Sequence, residues 1–176
     1  MTASLVLTIL GDDHPGLVDS LSGVITEHDA NWEESRMSRL AGKFAGILRI
    51  TVPDQRVSEL TRELHALNAS GLRVLVELAG EQPVTGSHTG LVLELVGQDH
   101  PGIVHDISHA LASLDINVEE FSSSVESASM AGGQLFRAEA RLRVPVAVSQ
   151  EELRDLLENL ANELMVDISL DPLDRG

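Results

Sequence analysis

Cysteine is absent from this sequence, and aromatic residues are rare. The 176-residue chain has no cysteine, which excludes disulfides, thiolate nucleophiles and cysteine-based zinc sites. It has no tyrosine, three phenylalanines and one tryptophan. Because aromatics make up 2% and hydrophobic residues 43% of the chain, aliphatic side chains must fill the core. An aliphatic core is typical of helices packed on a sheet.

Basic residues are also scarce. The chain has 12 Lys and Arg residues and 28 Asp and Glu residues, which gives a formal net charge of −16. Lys and Arg side chains hold phosphate backbones, and aromatic side chains stack on single-stranded nucleic acid. We therefore expect no direct contact with nucleic acid, and none with an anionic membrane surface.

Long apolar segments are missing as well. Residues 1–10 lack the basic start of a signal peptide, and their apolar run is short and interrupted. No apolar run approaches the roughly 20 residues that a membrane-spanning helix needs. The sequence therefore predicts a soluble cytoplasmic protein.

What the chain does contain is an internal repeat. Blocks of similar sequence recur in the same order after about 90 residues, the size of a duplicated small domain. The block pairs are 11–18 (GDDHPGLV) and 97–104 (GQDHPGIV), 29–34 (DANWEE) and 115–120 (DINVEE), and 48–53 (LRITVP) and 140–145 (ARLRVP). The second copy has about six extra residues near 127–133, which predict a longer hairpin loop.

Hydrophobic periodicity predicts the same order of elements in both copies. Residues 136–144 alternate apolar and charged side chains, which indicates a strand buried on one face. Apolar residues at helical spacing predict a helix after each first strand. The faces that we expect these helices to bury are Val18, Leu21, Val24 and Ile25 in copy one, and Val104, Ile107, Leu111 and Leu114 in copy two.

The element order is strand, helix, strand, strand, helix, strand in each copy. That order predicts an α+β protein of two ferredoxin-like βαββαβ domains, each an antiparallel sheet with its helices on one face. We expect a first domain at 1–79, a linker at 80–88, a second domain at 89–171 and a tail at 172–176. The Gly, Pro and polar content of the linker supports this division.

The turn between the first strand and the first helix has the composition of a ligand loop. Pro15 is expected at the helix start, and Gly16, without a Cβ, lets a ligand approach the backbone. A helix N-terminus favours an anion such as a carboxylate. Asn31 offers a donor and an acceptor, and Asp13 either holds an ammonium group or caps the helix. An ordinary turn before a helix is the plainer interpretation, and it stays open.

Other polar residues are weaker candidates. His105 and His109 have the i, i+4 spacing of a zinc half-site, but copy one has no counterpart and we interpret them as surface residues. His14 and His100 lack a recurring nucleophile or second acid beside them, which a general base would need. We therefore predict no catalytic residues, no metal site and no cofactor.

Adjacent carboxylates occur at residues 33–34 and 119–120. Neighbouring residues of a strand point to opposite faces, so these pairs are not expected to work together as the two acids of a glycosidase. We interpret them as solvated surface residues.

The Asp-x-Pro-Gly turn between strand and helix, together with the asparagine that opens the second strand, resembles the ACT domain. Two such domains in one chain are similar to the glycine cleavage system transcriptional repressor family. The predicted ligand-contact residues are Asp13, His14, Pro15, Gly16, Leu17 and Asn31 in copy one, and Asp99, His100, Pro101, Gly102, Ile103 and Asn117 in copy two.

The resemblance implies a regulatory, non-enzymatic function. ACT domains bind amino acids or similar ligands, usually at an interface between two domains, and the repressor family acts through a DNA-binding partner protein. We therefore expect an amino-acid sensor, with glycine suggested by the family, and a homodimer is compatible with the exposed sheet edges. Because Asp12 adds a negative charge where copy two has Gln98, we expect the first pocket to be weaker or empty.

Two alternatives remain from the sequence. The first is a protein–protein interaction module with vestigial ligand sites. The second is an enzyme of ferredoxin-like fold, which would need an acid, base or metal constellation that the sequence does not supply.

Overall fold

The computed structural model describes residues 1–80, 86–128 and 132–173. The chain divides into two compact units, Met1–Pro83 and Val84–Gly176, which we call the first and second modules. Within the ranges that the structure describes, no helix is long and apolar enough to cross a membrane.

Parts of three predicted segments lie outside the described residues. They are 81–85 of the predicted linker, 129–131 of the longer hairpin loop and 174–176 of the tail. The domain limits drawn from the sequence therefore stay predictions.

The first module has the predicted order of elements. They are β1 (Thr2–Asp12), α1 (Leu17–Glu27), β2 (Asn31–Leu40), β3 (Lys43–Pro53), α2 (Val57–Ala66) and β4 (Leu72–Leu78). The strands form one sheet in the order β2-β3-β1-β4, and every neighbouring pair is antiparallel. The prediction that the asparagine at residue 31 opens the second strand is confirmed.

The second module repeats this order. Its elements are β5 (His88–Gln98), α3 (Ile103–Ala112), β6 (Asn117–Ser127), β7 (Gln134–Pro145), α4 (Gln150–Leu164) and β8 (Val166–Pro172). The sheet order is β6-β7-β5-β8, again antiparallel throughout. The α+β ferredoxin-like prediction is confirmed in both modules.

Each core lies between one face of the sheet and its two helices. In the first module, alternate residues of β1 and β3 pack against α1 and α2. The buried strand residues include Leu5, Leu7, Ile9, Leu48, Ile50 and Val52, and the buried helix residues include Leu21, Ile25, Leu60 and Leu64. In β7 the apolar side chains of the predicted alternation are buried and lie over α3 and α4. Both helices of a module therefore cover the same face of its sheet.

The predicted helix faces need one correction. Val18 and Val104 are exposed, whereas the residues just before them, Leu17 and Ile103, are buried. The buried row of α1 runs at i, i+4 and i+8 from Leu17. Because successive helical residues are about 100° apart, a side chain one position later points away from that row.

A β-bulge changes the interpretation of the first carboxylate pair. The ladder between β2 and β3 pairs Trp32 with Ile50 and then Glu34 with Arg49, so Glu33 is an extra residue. Glu33 Oε2 lies 3.1 Å and Glu34 Oε2 3.8 Å from Arg49 nitrogens. The expectation of opposite faces was wrong, because the bulge interrupts strict alternation and brings both carboxylates to one arginine.

The second module contains the same bulge, between Val118 and Glu120. Glu120 Oε1 lies 3.4 Å from Arg141 Nη1. Glu119 Oε1 lies 3.5 Å from Arg143 Nε, an ion-pair distance without a hydrogen bond. These four carboxylates therefore neutralise arginines on the sheet face that the helices leave uncovered.

Candidate functional site

Glycine determines the shape of the loop after β1 and after β5. Gly16 and Gly102 have φ angles of 94° and 93°, in the left-handed region, and each is the N-cap of the following helix. No atom of the described residues lies within 4 Å of a Cβ built on Gly16. The glycine is therefore required by backbone conformation, which other residues adopt only at a cost.

Each helix begins two residues after the proline that we expected at its start. Pro15 and Pro101 precede the N-cap glycines, so they do not occupy the first helical position that we predicted. Among the described residues no side chain caps either helix, so of the two roles predicted for Asp13 the cap is ruled out. Glycine takes the cap position because the chain must turn sharply between sheet and helix.

An uncapped helix start leaves donors available. The first intrahelical bonds run from Ser20 N to Gly16 O (2.9 Å) and from Asp106 N to Gly102 O (3.0 Å). The N–H groups before them have no acceptor within the helix. In the second module, the Ile103 N–H reaches His100 O at 3.4 Å. These N–H groups and the helix dipole can hold a carboxylate.

The loop histidines have matching conformations. Nδ1 of His14 lies 3.0 Å from Pro15 O, and Nδ1 of His100 lies 3.1 Å from Pro101 O. Since a carbonyl oxygen only accepts, Nδ1 carries the proton that is donated. A neutral ring then leaves Nε2 as an acceptor, able to meet the N–H of an ammonium group.

The loop carboxylates of the first module are paired with cations. Asp13 Oδ2 lies 2.8 Å from Arg39 Nε. Asp12 accepts a hydrogen bond from Lys43. This hydrogen bond and the positive charge of Lys43 together hold the pKa of Asp12 below its ordinary value. The extra charge of Asp12 is thus compensated locally, which weakens our sequence-based reason for expecting a poor first pocket.

The second loop lacks this compensation. Asp99 is half-buried, and among the residues that the structure describes it forms no ion pair. The backbone N–H of Asp99 donates to Gln134 O at 2.9 Å and so connects the loop to β7. The equivalent bond in the first module runs from the Asp13 N–H to Gly42 O. The Asp99 carboxylate therefore has no cation beside it in the described part of the chain that a ligand's ammonium group would need to displace.

A cleft of about 270 Å³ opens beside the first loop. Four predicted residues line it, together with three that we did not predict: Asp13, His14, Gly16 and Leu17, and then Val18, Asp19 and Phe44. The volume suits a small molecule. Phe44 reaches the cleft because β3 pairs with β1, Gly11 opposite Phe44, a contact that no local pattern indicates.

Asn31 lies far from this cleft within its own module. Asn31 pairs with Thr51, and Thr51 pairs with Ser4, eight residues before Asp12 at the loop end of β1. At about 3.3 Å per residue, the separation along the sheet is roughly 26 Å. Asn117 pairs with Arg143 in the same way at the far end of the second sheet.

One group of three potential metal ligands occurs in the described part of the chain. It consists of His28, Glu59 and Glu63. His28 lies 31 and 35 positions before the two glutamates, so sequence spacing did not reveal the group. His105 and His109, by contrast, are exposed and stack on each other with ring centroids 5.9 Å apart.

Comparison with known proteins places these features in a family. The sequence model of the ACT domain matches residues 3–78. UPF0237 protein MK1213 of Methanopyrus kandleri is 33% identical over 75 residues, which are 41% of this chain and 83% of that protein. The chain belongs to the ACT-domain family. ACT domains are regulatory modules, so the modules described above are two regulatory ACT domains in tandem.

Two crystal structures match this chain over nearly its whole length. An unknown protein from Galdieria sulphuraria has a TM-score of 0.88 and 28% identity, covering 99% of this chain and 100% of that one. A candidate glycine cleavage system transcriptional repressor has a TM-score of 0.71 and 20% identity, covering 99% of each chain. At 20% identity, the second likeness shows the fold alone.

Proposed function

We propose that this tandem ACT protein binds an amino acid at its strand–helix loops and regulates transcription through a DNA-binding partner, without enzymatic activity. The observation that carries the proposal is the loop itself. In both modules a left-handed glycine opens an uncapped helix, and a histidine ring is held by the following proline carbonyl. The same loop thus offers N–H donors for a carboxylate and a ring nitrogen that can accept from an ammonium group.

The chemistry of the loop suits a small zwitterion. The helix N–H groups favour a carboxylate, and the histidine Nε2 with the neighbouring aspartate favours an ammonium group. The first cleft, of about 270 Å³, has room for any of the twenty amino acids, so its volume does not select among them. Glycine or another small amino acid is proposed as the ligand class because of the family resemblance.

We propose that the second loop binds more tightly. Asp13 already holds Arg39, whereas Asp99 has no cation among the described residues. An ammonium group would compete with a guanidinium in the first loop and meet an uncompensated carboxylate in the second. The proposed difference in affinity between the loops rests on the different partners of Asp13 and Asp99, and not on the added charge of Asp12.

The role of Asn31 and Asn117 as ligand contacts stays a proposal of its own. In each module the asparagine and the loop lie at opposite ends of the sheet. Within one module, a small ligand therefore cannot touch both groups. Substituting the asparagines tests this contact separately from the loop.

The transcriptional part of the proposal is supported by charge and by the likeness in fold to a candidate repressor. A net charge of −16 disfavours direct DNA binding, so a partner must contact the DNA. We expect the purified chain alone to leave DNA unretarded in a gel. Retardation at physiological salt would contradict the partner-mediated mechanism.

Thermal stability of the purified full chain against each of the twenty amino acids tests the sensor proposal. A ligand that binds only the folded state stabilises it by about 2.7 kcal/mol at a hundredfold excess over its Kd. We expect one or two small amino acids to raise Tm. The shift should be lost in Asp99→Asn and His100→Ala, and retained in the matched variants Asp13→Asn and His14→Ala.

Other results would redirect the interpretation. No shift with any amino acid at millimolar concentration would favour a protein–protein interaction module. A shift that survives Asp99→Asn but disappears in Asp13→Asn would reverse the ranking of the loops. Loss of the shift in Asn117→Ala would show that the asparagine contributes to the same ligand.

A further inference from the structure

We propose that the first module binds one divalent transition-metal ion, of the Zn²⁺ class, between His28, Glu59 and Glu63. One ligand atom from each residue lies within 4.8 Å of the other two. His28 directly follows α1, and the two glutamates are one turn apart on α2. This cluster goes beyond the proposed amino-acid site and does not depend on it.

His28 is the residue that makes this more than a group of acidic side chains. It is 3% exposed, and it is the buried polar residue of the described core. Its Nδ1 donates a hydrogen bond to Val24 O at 2.8 Å. A backbone carbonyl on one ring nitrogen is the usual way in which proteins fix a metal-binding histidine, because it leaves the other nitrogen as the ligand.

The free nitrogen of His28 faces the glutamates. Nε2 lies 3.8 Å from Glu63 Oε2. Glu59 and Glu63 are four positions apart, so both project from the same side of α2. A tetrahedral ion with bonds of about 2.0–2.1 Å separates its ligand atoms by about 3.3 Å. Small rotations of the exposed Glu59 and half-buried Glu63 would close the remaining distance.

The ligand set matches a zinc-like ion in type and charge. One imidazole and two carboxylates are the three protein ligands of several zinc sites, with a water in the fourth position. A neutral imidazole and two carboxylates carry a charge of −2, which a divalent ion balances.

Arginines compete for one of the ligands. Arg56 Nη1 lies 3.3 Å from Glu59 Oε2, and Arg62 Nη2 lies 4.0 Å from Glu59 Oε1. Both pairs are exposed and therefore weak. Arg56 also contacts Asp29 Oδ2 at 3.4 Å, so it keeps a carboxylate partner when Glu59 turns to the metal.

The second module supplies a natural comparison. The backbone N–H of His28 points to Ile25 O, and that of Leu114 points to Leu111 O, so the two residues occupy equivalent positions. Leu114 packs against the core of its module. Leucine therefore fits this backbone position, and the proposed metal site belongs to the first module. It lies at the opposite end of α1 from the ligand loop, about 16 Å along the helix.

Isothermal titration of Zn²⁺ into the metal-free full chain near pH 7.5 tests the proposal. We expect one ion per chain. Glu63→Gln and His28→Leu should each lower the affinity at least about tenfold, while the double variant His105→Ala with His109→Ala should bind like the parent. Affinity should also fall at pH 5.5, because the imidazole must be neutral to bind metal.

Three outcomes would overturn the proposal. They are no Zn²⁺ binding by the parent chain, unchanged affinity in Glu63→Gln, or loss of binding only when His105 and His109 are replaced. Glu63 is half-buried, so Glu63→Gln decides the matter even if His28→Leu fails to fold. Because these variants leave the loops intact, amino-acid stabilisation measured alongside separates failure of this proposal from failure of the sensor proposal.

Discussion

Replacing Gly16 by alanine tests whether backbone conformation requires the glycine at the start of α1. With φ at 94°, alanine would be held in the left-handed region, which costs an L-residue about 1–2 kcal/mol. Within the part of the chain that the structure describes, no atom lies within 4 Å of the added Cβ, so no steric clash there adds to this cost. Alanine also restricts the unfolded chain, which offsets about 0.4–1 kcal/mol. The net expectation is a destabilisation of about 1 kcal/mol.

Gly23 is the matched control. It lies exposed in the middle of α1, and a Cβ there also meets nothing within 4 Å, but its φ is helical. Gly23→Ala should therefore stabilise the protein by about 0.5–1 kcal/mol through helix propensity. The two substitutions add the same methyl group to one helix and are expected to act in opposite directions, about 2 kcal/mol apart.

The single tryptophan provides the assay. Trp32 packs against the core of the first module, so its fluorescence reports the unfolding of that module in urea. The variants should move the midpoint in opposite directions at an unchanged slope. Equal or greater stability of Gly16→Ala, or a loss in Gly23→Ala as large as that in Gly16→Ala, would refute the conformational argument.

Two further predictions concern packing and a helix cap. Gly46→Ala should destabilise the first module by about 2–3 kcal/mol in the same assay, because the new Cβ would lie 2.5 Å from the backbone oxygen of Arg36; a change below about 0.5 kcal/mol would contradict this. Ser149→Ala should cost about 1 kcal/mol at neutral pH, measured by circular dichroism, since it removes the capping box with Glu152. Hydrogen bonds from the Ser149 N–H and hydroxyl lower the pKa of Glu152. Ser149→Ala removes only the hydroxyl bond to this carboxylate, because the backbone N–H stays. The contribution of the hydroxyl bond is present above the ordinary glutamate pKa of about 4.3 and lost as the pH falls below it. The difference from the parent should therefore shrink in acid to the part that comes from the Glu152 N–H bond to Ser149 Oγ, and a difference that does not shrink would contradict a role for the hydroxyl–carboxylate bond.

Much of the fold could be read from local pattern. The alternation along residues 136–144 predicts which side chains of β7 are buried, and the structure confirms it. The recurrence of the loop and of the asparagine that follows it predicted two modules and the start of the second strand in each of them. These features depend on residues that are close in sequence, and the physical rules behind them are also local.

Some local details could be seen only in the backbone structure. The sequence placed Pro15 at the helix start and gave Asp13 the option of a cap, but the left-handed Gly16 takes the N-cap. That shift of the helix start buries Leu17 and exposes Val18. Likewise, the extra residue at Glu33 breaks strict alternation, and only the pairing with β3 shows it.

What the sequence by itself determined is the repeat, the order of elements, the ACT family and the loop that carries the candidate site. What only the tertiary structure decided is which distant residues meet. Strand register placed Asn31 roughly 26 Å from its own loop and Phe44 beside it. Helix packing brought His28 to Glu63. Local periodicity specifies the face on which a residue lies, whereas proximity across a module depends on pairing and packing between segments far apart in the chain.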